Sequence, residues 1–475
     1  MNKYLIFFAL LFMRFSVEAH PWKPRNYVII DTDGGYDDFR ALNLLLASPD
    51  IRVLAITTSN GVLEADQVYK KVKSLLFELH HEGMLVGMYN DSTHLTRKCI
   101  PALNFSWGTP VSDTGSIPSA EDIIENIIHN SEEPLTFISL GSLGTLADCI
   151  NKVDQFELRL KQVLWSGNPD LDDNNFNYRI DTGAYNFVKS KSRILIRRIY
   201  FGFGNSVYTE KLQQSLLAIH NSYAGNILKS LQSDLTPYAT RWYDESVAMY
   251  LHFPELFTAD TLSNEIIYQA LSVIMSQWDE KIVRILNGKT VNQNQVLKSF
   301  PMDTADYQDD VRLIMPETIY KYGEEEWIAG VLANELHRHL GIYAIVGVKM
   351  GIRAREYFGA GIDEMKVISY AGLQPPYSCM NDGLQVSMGA TLGHGLIQVD
   401  ESSKKLPEAQ FTYLGRVIVI GLKETYRQKI ENEVRELSAI YGLNNDIYWA
   451  LVRSSALAYW ANWDRNELFE IHVIR

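Results

Sequence analysis

Cysteine is scarce. The chain has three in 475 residues, Cys99, Cys149 and Cys379. They are far apart and odd in number, so no disulfide framework follows. Basic blocks are missing too: Lys and Arg total 44 against 57 Asp and Glu, a formal net charge of −13. Such a chain does not suit a phosphate backbone, and no nucleic-acid partner is expected. Beyond the amino-terminal segment no apolar run is long enough to span a bilayer. No internal repeat or long low-complexity segment appears. Hydrophobic residues make up 46% of the chain, enough for sizeable cores, and the length favours two domains.

The amino terminus has the pattern of a targeting segment. Lys3 supplies a short basic start, Tyr4 to Met13 is apolar, and Val17-Glu-Ala19 fits a small-residue cleavage site. Residues 1–19 are therefore predicted to be a signal peptide on an exported protein, periplasmic or secreted. Arg14 leaves open an uncleaved anchor.

The chain is richest in information at Tyr27-Val-Ile-Ile-Asp-Thr-Asp-Gly-Gly-Tyr-Asp-Asp38. An apolar, β-branched run meets four carboxylates, Asp31, Asp33, Asp37 and Asp38, around the pair Gly34-Gly35. Helical periodicity follows from Phe39 to Ala47. The pattern predicts strand, tight turn, helix. Carboxylates at the end of a buried strand stand where α/β folds place ligands. Four within eight residues repel one another unless a cation is present, and oxygen ligands suit Ca²⁺ or Mg²⁺. A helix dipole accounts for Asp37 and Asp38. It does not account for Asp31 and Asp33.

The run D-T-D-G-G-Y-D-D before an apolar helix resembles the amino-terminal motif of the nucleoside hydrolases. Later segments extend the resemblance. Asn60-Gly61 ends a second predicted strand where the family has a ribose-contacting asparagine, although Asn-Gly at a strand end is commonly only a turn. Leu135 to Ala147 is similar to the family segment whose backbone carbonyl binds the metal, which the resemblance puts at Leu140. Gly167-Asn168 and Asn175-Phe-Asn177 are similar to its sugar-binding G-N and E-F-N elements. Asn175 stands where the family has glutamate, and Asn168 is one residue off the family spacing. Thr240 to Pro254 resembles the H-D-P-x-A helix, with Asp244 at the metal-binding aspartate and Tyr243 at the histidine. On the residues alone Asp244 reads as a helix cap.

The resemblance implies a mostly parallel α/β sheet flanked by helices over residues 20–315. It implies Ca²⁺ held by Asp33, Asp38, Asp244 and the Leu140 carbonyl, with Asp33 also the general base. Asp37, Asn60, Asn168, Asn175, Asn177 and Tyr243 are the implied contacts to a small-molecule nucleoside or riboside. Asp31 is expected to support the shell. Family members are usually oligomers, so a homo-oligomer is expected.

Residues 316–475 read as a smaller α+β domain. His337-Arg-His339-Leu-Gly341, Cys379-Met-Asn-Asp-Gly-Leu-Gln385 and Gly389-Ala-Thr-Leu-Gly393 resemble the E-like family of formylmethanofuran dehydrogenase subunits. His337, His339, Cys379 and His394 allow two readings. One is a site for Zn²⁺ or another transition metal. The other is a buried thiol with ordinary polar histidines. Two histidines two apart cannot share a helix face, so they are expected at a helix end.

The function expected is metal-dependent N-glycosidic hydrolysis. The alternatives are a non-catalytic metal and riboside binder, and an enzyme whose chemistry lies in the second domain.

Overall fold

The structure, a computed structural model, describes residues 24–475 apart from 91–98, 112–114, 169, 172–174, 192, 202–207, 233–241, 263–264, 272–274, 289–295 and 403–404. The predicted signal peptide lies outside the described residues. Among those residues no helix is long and apolar enough to cross a membrane.

The first domain is built on eight strands: β1 (Asn26–Thr32), β2 (Ile51–Thr58), β3 (Leu85–Met88), β4 (Leu135–Ser139), β5 (Leu160–Ser166), β6 (Ile196–Tyr200), β7 (Phe257–Leu262) and β8 (Glu265–Ala270). Their order across the sheet is β3-β2-β1-β4-β5-β6-β8-β7. All neighbours run parallel except the β7–β8 pair. The continuous apolar runs of these strands follow from burial on both faces. Alternate residues feed two cores. Val28, Ile30, Ile56, Ile138 and Leu164 pack on one side, and Ile29, Ala55, Phe137, Val163 and Trp165 on the other. Ser119 caps helix Ala120–Asn130, its Oγ accepting from Asp122 N at 3.1 Å.

The strand order reverses at β1, between β2 on one side and β4 on the other. Ligands of open α/β sheets bind at the carboxyl ends of the strands flanking such a point. Asp33 follows β1 directly, Leu140 follows β4, and Asn168 follows β5.

The second domain has five strands: β9 (Lys366–Ser369), β10 (Ile397–Val399), β11 (Glu408–Tyr413), β12 (Arg416–Leu422) and β13 (Phe469–Val473), in the order β10-β9-β11-β12-β13. Helix Ile342–Phe358 is buried along most of its length. Its glycines permit close contact with helix Met380–Met388: a Cβ on Gly347 would stand 2.2 Å from Met380 O. The boundary expected at residues 315/316 needs correction. It falls inside helix Asp309–His337, whose Val311 and Met315 pack into the second core. An apolar face that buries with the later helices belongs to their module.

The two domains dock at the amino-terminal edge of the first sheet. Arg52, at the start of β2, pairs with Glu364 at 2.7 Å. Arg353 donates to His80 O and to Glu82, and Gly83 N donates to Tyr357 O at 2.8 Å. His81 bridges Glu356 O at 2.6 Å and the Tyr223 hydroxyl at 2.7 Å. This edge is opposite the carboxylates.

Candidate active site

The turn after β1 is shaped by glycine. Gly34 has φ +94°, the left-handed region that an L side chain disfavours. Helix Tyr36–Leu46 starts directly after it. Asp38 closes the turn: its Oδ1 accepts from Thr32 Oγ1 at 2.6 Å and Asp33 N at 3.0 Å, and its Oδ2 from Gly35 N at 3.1 Å. A Cβ on Gly35 would come within 2.5 Å of Asp37 and 2.7 Å of Asp38 oxygens. Main chain and carboxylates share a space that admits no side chain.

Asp31 is fully buried beneath them. It accepts from Thr57 Oγ1 at 2.7 Å, Ser59 Oγ at 2.8 Å and Thr145 Oγ1 at 2.8 Å. Burial pushes its carboxyl up to about 7 against these three donors. With its oxygens occupied by hydroxyls, Asp31 ties β1 to β2 and to helix Gly144–Lys152.

Oxygens of Asp37, Asp38 and Asp244 lie within 4.8 Å of one another, the one such group of three among the described residues. Asp244 heads helix Glu245–His252 but makes no side-chain cap bond. The helix-cap role therefore does not explain it. Its Oδ1 accepts instead from Ser166 Oγ at 2.5 Å. Burial, then Asp37 and Asp38, hold its carboxyl well above the usual range. Burial, Asp38 and Glu245 push Asp37 to about 7.

Asp33 stands beside this group. A Cβ on Gly61 would come within 2.0 Å of Asp33 Oδ2, and one on Gly141 within 3.0 Å of Asp33 Cβ. Burial raises its carboxyl most, followed by Asp38 and Asp37. The grouping exchanges one carboxylate of the expected set: Asp37, expected on the sugar, stands with Asp38 and Asp244, and Asp33, expected as a ligand, lies outside the group of three.

The asparagines divide. Asn60 Oδ1 accepts from Ala65 N at 2.9 Å, at the start of helix Ala65–Glu78. Asn175 is buried, and its amide is spent locally. It donates to Asn168 O and Asp170 O and accepts from Tyr178 N at 3.1 Å. Asn168 O also accepts from Arg198, itself paired with Glu265. Asn177 Nδ2 donates to Leu140 O at 2.6 Å and Ser166 O at 3.0 Å. Tyr243 is 38% exposed at the rim, next to Asp244.

Residues 28–300 match the family model described as inosine-uridine preferring nucleoside hydrolase. The chain belongs to this nucleoside hydrolase family. The same model covers β1 to β8 and every carboxylate of the site. Residues 336–469 match a second model, described as FmdE, molybdenum formylmethanofuran dehydrogenase operon. Among curated relatives, the pyrimidine-specific ribonucleoside hydrolase RihA of Salmonella schwarzengrund (strain CVM19633) is 27% identical over 155 residues, 30% of this chain and 47% of that protein. RihA of Shewanella baltica (strain OS155 / ATCC BAA-1091) is 27% identical over 150 residues, 30% of this chain and 46% of that one. The chain thus spans about half the length of the curated relatives it matches. A solved purine-preferring ribonucleoside hydrolase from Gardnerella vaginalis aligns with TM-score 0.45 and 15% identity, over 55% of this chain and 99% of the other.

Metal dependence is general among nucleoside hydrolases, and the residues here fit a hard cation. The Asp37, Asp38 and Asp244 oxygens converge, and the Leu140 carbonyl stands at the same strand ends. Sequence reasoning missed Arg40 and Glu245, which hold this nucleoside hydrolase site together. Arg40 lies within a largely apolar helical run, and a charge there is the signal of a buried partner.

The FmdE-like domain places its residues differently from expectation. Helix Asp309–His337 ends with Arg338 at φ 66°, and the His337 and His339 rings lie 4.3 Å apart, at a helix end as expected. His337 Nδ1 bonds Asp382 Oδ2 at 2.7 Å. The expected set of His337, His339, Cys379 and His394 is not gathered. After Gly389, at φ 65°, the chain turns away, and His394 bonds Gly389 O at 2.8 Å near Asp363. Burial and Asp382 push the Cys379 thiol up to about 11, so it is a poor source of thiolate.

Proposed function

We propose that the chain hydrolyses the N-glycosidic bond of a nucleoside or related riboside, releasing base and sugar, with Ca²⁺ as its metal. The observation that carries this is the convergence of Asp37, Asp38 and Asp244 at the switch point, with Asp33 seated beside them between two glycines. When bound, Ca²⁺ would offset the repulsion among these carboxylates and make a coordinated water more acidic. Asp33 is the general base in this reading: it is seated between Gly61 and Gly141 beside the cation group, and burial and the neighbouring carboxylates raise its proton affinity. Asn60 and Asn177 are the proposed sugar contacts, and the charge of Asp37 among the carboxylates favours an oxocarbenium-like transition state. Tyr243 offers a half-exposed ring and hydroxyl to the departing base.

In the second domain, His337 and His339 are the place for Zn²⁺ or another transition metal. Asp382 fixes Nδ1 of His337, and its Nε2 is buried with no hydrogen-bond partner. The composition of residues 1–19 supports export to the periplasm or beyond. The Asn175 amide is spent on its own loop and has no donor left for a sugar hydroxyl, so it is not among the proposed sugar contacts.

The test is reducing-sugar release from pyrimidine nucleosides, purine nucleosides and modified ribosides. It uses the full chain with Ca²⁺, with EGTA, and as Asp33→Ala. Release that requires Ca²⁺ and Asp33 establishes the hydrolase. Ca²⁺ binding without release from any substrate turns the reading to a binder.

A further inference from the structure

Four segments that are remote in sequence meet at one hydrogen-bonded chain. Ser166, the last residue of β5, is 6% exposed. Its hydroxyl donates to Asp244 Oδ1 at 2.5 Å. Its carbonyl accepts from Asn177 Nδ2 at 3.0 Å, and the same nitrogen donates to Leu140 O at 2.6 Å. Leu140 N in turn donates to Asp31 O at 2.9 Å. The ends of β1, β4 and β5 and the start of helix Glu245–His252 are joined in series.

We infer that Ser166 and Asn177 act as one positioning unit that sets the distance between the Leu140 carbonyl and Asp244 on one edge of the cation site. The inference rests on the hydrolase reading for its metal. The hydroxyl of Ser166 occupies one oxygen of Asp244, and the same carboxyl meets Asp37 and Asp38 in the cation group. A carbonyl oxygen has two lone pairs, and Asn177 takes one at Leu140. Asn177 does not cap its own helix, Phe176–Ile180, because Asn175 does so. Its amide group instead reaches across two strand ends. Both Nδ2 hydrogens are directed to main-chain carbonyls, so toward a sugar Asn177 presents Oδ1, an acceptor for a hydroxyl. Two different side chains thus hold two ligand groups that no backbone ladder connects.

The experiment is calorimetric titration of the full-length chain with Ca²⁺ alone, beside thermal melting of each variant. Ser166→Ala is expected to weaken Ca²⁺ binding by about 10-fold or more, the usual effect of losing a hydrogen bond to a metal ligand. Ser166→Thr, which keeps the hydroxyl, restores most of it. Asn177→Leu, of similar size and without donors, loses about 10-fold as well. The double variant loses less than the product of the two, because the residues act through one chain. Unchanged Ca²⁺ affinity in folded Ser166→Ala and Asn177→Leu overturns the inference. Should Ser166→Ala not fold, Asn177→Leu decides alone. A wild-type chain that binds Ca²⁺ but releases no sugar overturns the hydrolase reading and leaves the positioning unit to the titration. A wild-type chain that binds no Ca²⁺ overturns both.

Discussion

Arg40 Nε lies 2.5 Å from Glu245 Oε1, and both side chains are buried. The pair joins the helix that carries Asp37 and Asp38 to the helix headed by Asp244. Glu245 also accepts from the Tyr208 hydroxyl at 3.0 Å and from Tyr243 N at 2.9 Å. Removing one partner leaves the other charge buried, which costs about 3–5 kcal/mol. Arg40→Met is expected to lose stability on that scale in urea unfolding, and to weaken Ca²⁺ binding. A loss below about 1 kcal/mol, the scale of a surface pair, would show that Glu245 finds another partner.

Gly61→Ala tests the seat of Asp33. The new Cβ would fall 2.0 Å from Asp33 Oδ2 and must displace it. A misplacement of about 1 Å costs on the order of 100-fold in rate. We expect kcat to fall on that scale while thermal melting moves little, since Gly61 lies outside the strands. Unchanged kcat would remove Asp33 from the role of base.

Ca²⁺ affinity should depend on pH. The Asp37 carboxyl sits at about 7, raised by burial, by Asp38 and by Glu245. A cation binds the deprotonated form, so affinity rises with pH through about 7. For each such carboxyl the gain from pH 6 to pH 8 is about tenfold. Without the cation the same kind of shift acts on the fold. Asp31 titrates at about 7 folded against 3.8 unfolded, so its contribution is full below 3.8 and lost as pH rises through about 7. Titrations at both pH values check the first sign, and metal-free melting checks the second.

His81 links domain docking to acid. Burial lowers its pKa, against the Glu356 carbonyl bond and the nearby charges of Glu356 and Glu82. A lowered histidine contributes stability above its unfolded pKa, and that contribution is lost as pH falls through the folded value. Thermal stability should therefore drop between pH 7.5 and 5.5, and drop less in His81→Gln. Equal slopes for the two chains would assign the acid sensitivity elsewhere.

Local patterns were legible wherever one segment decides its own structure. The run from Tyr27 to Asp38 announces strand, turn and helix, because an apolar run, glycines and carboxylates act within a dozen residues. The fusion of two modules was legible for the same reason. Its boundary was not, since Val311 and Met315 reveal their allegiance only through the helices they pack against. The asparagines were ambiguous in sequence. Their side chains serve turns and ligands equally well, and only folding shows Asn175 spending its amide on the loop.

The sequence by itself determined the carboxylate inventory, the parallel α/β character of the first domain and the presence of a second module. Tertiary structure decided which carboxylates meet. Asp244 joins Asp37 and Asp38 from more than two hundred residues away because Arg40 and Glu245 draw their helices together. His394 bonds Gly389 O and lies near Asp363, while His337 bonds Asp382. Burial then sets proton affinities that no list of residues contains, since desolvation depends on what the rest of the chain packs around each group.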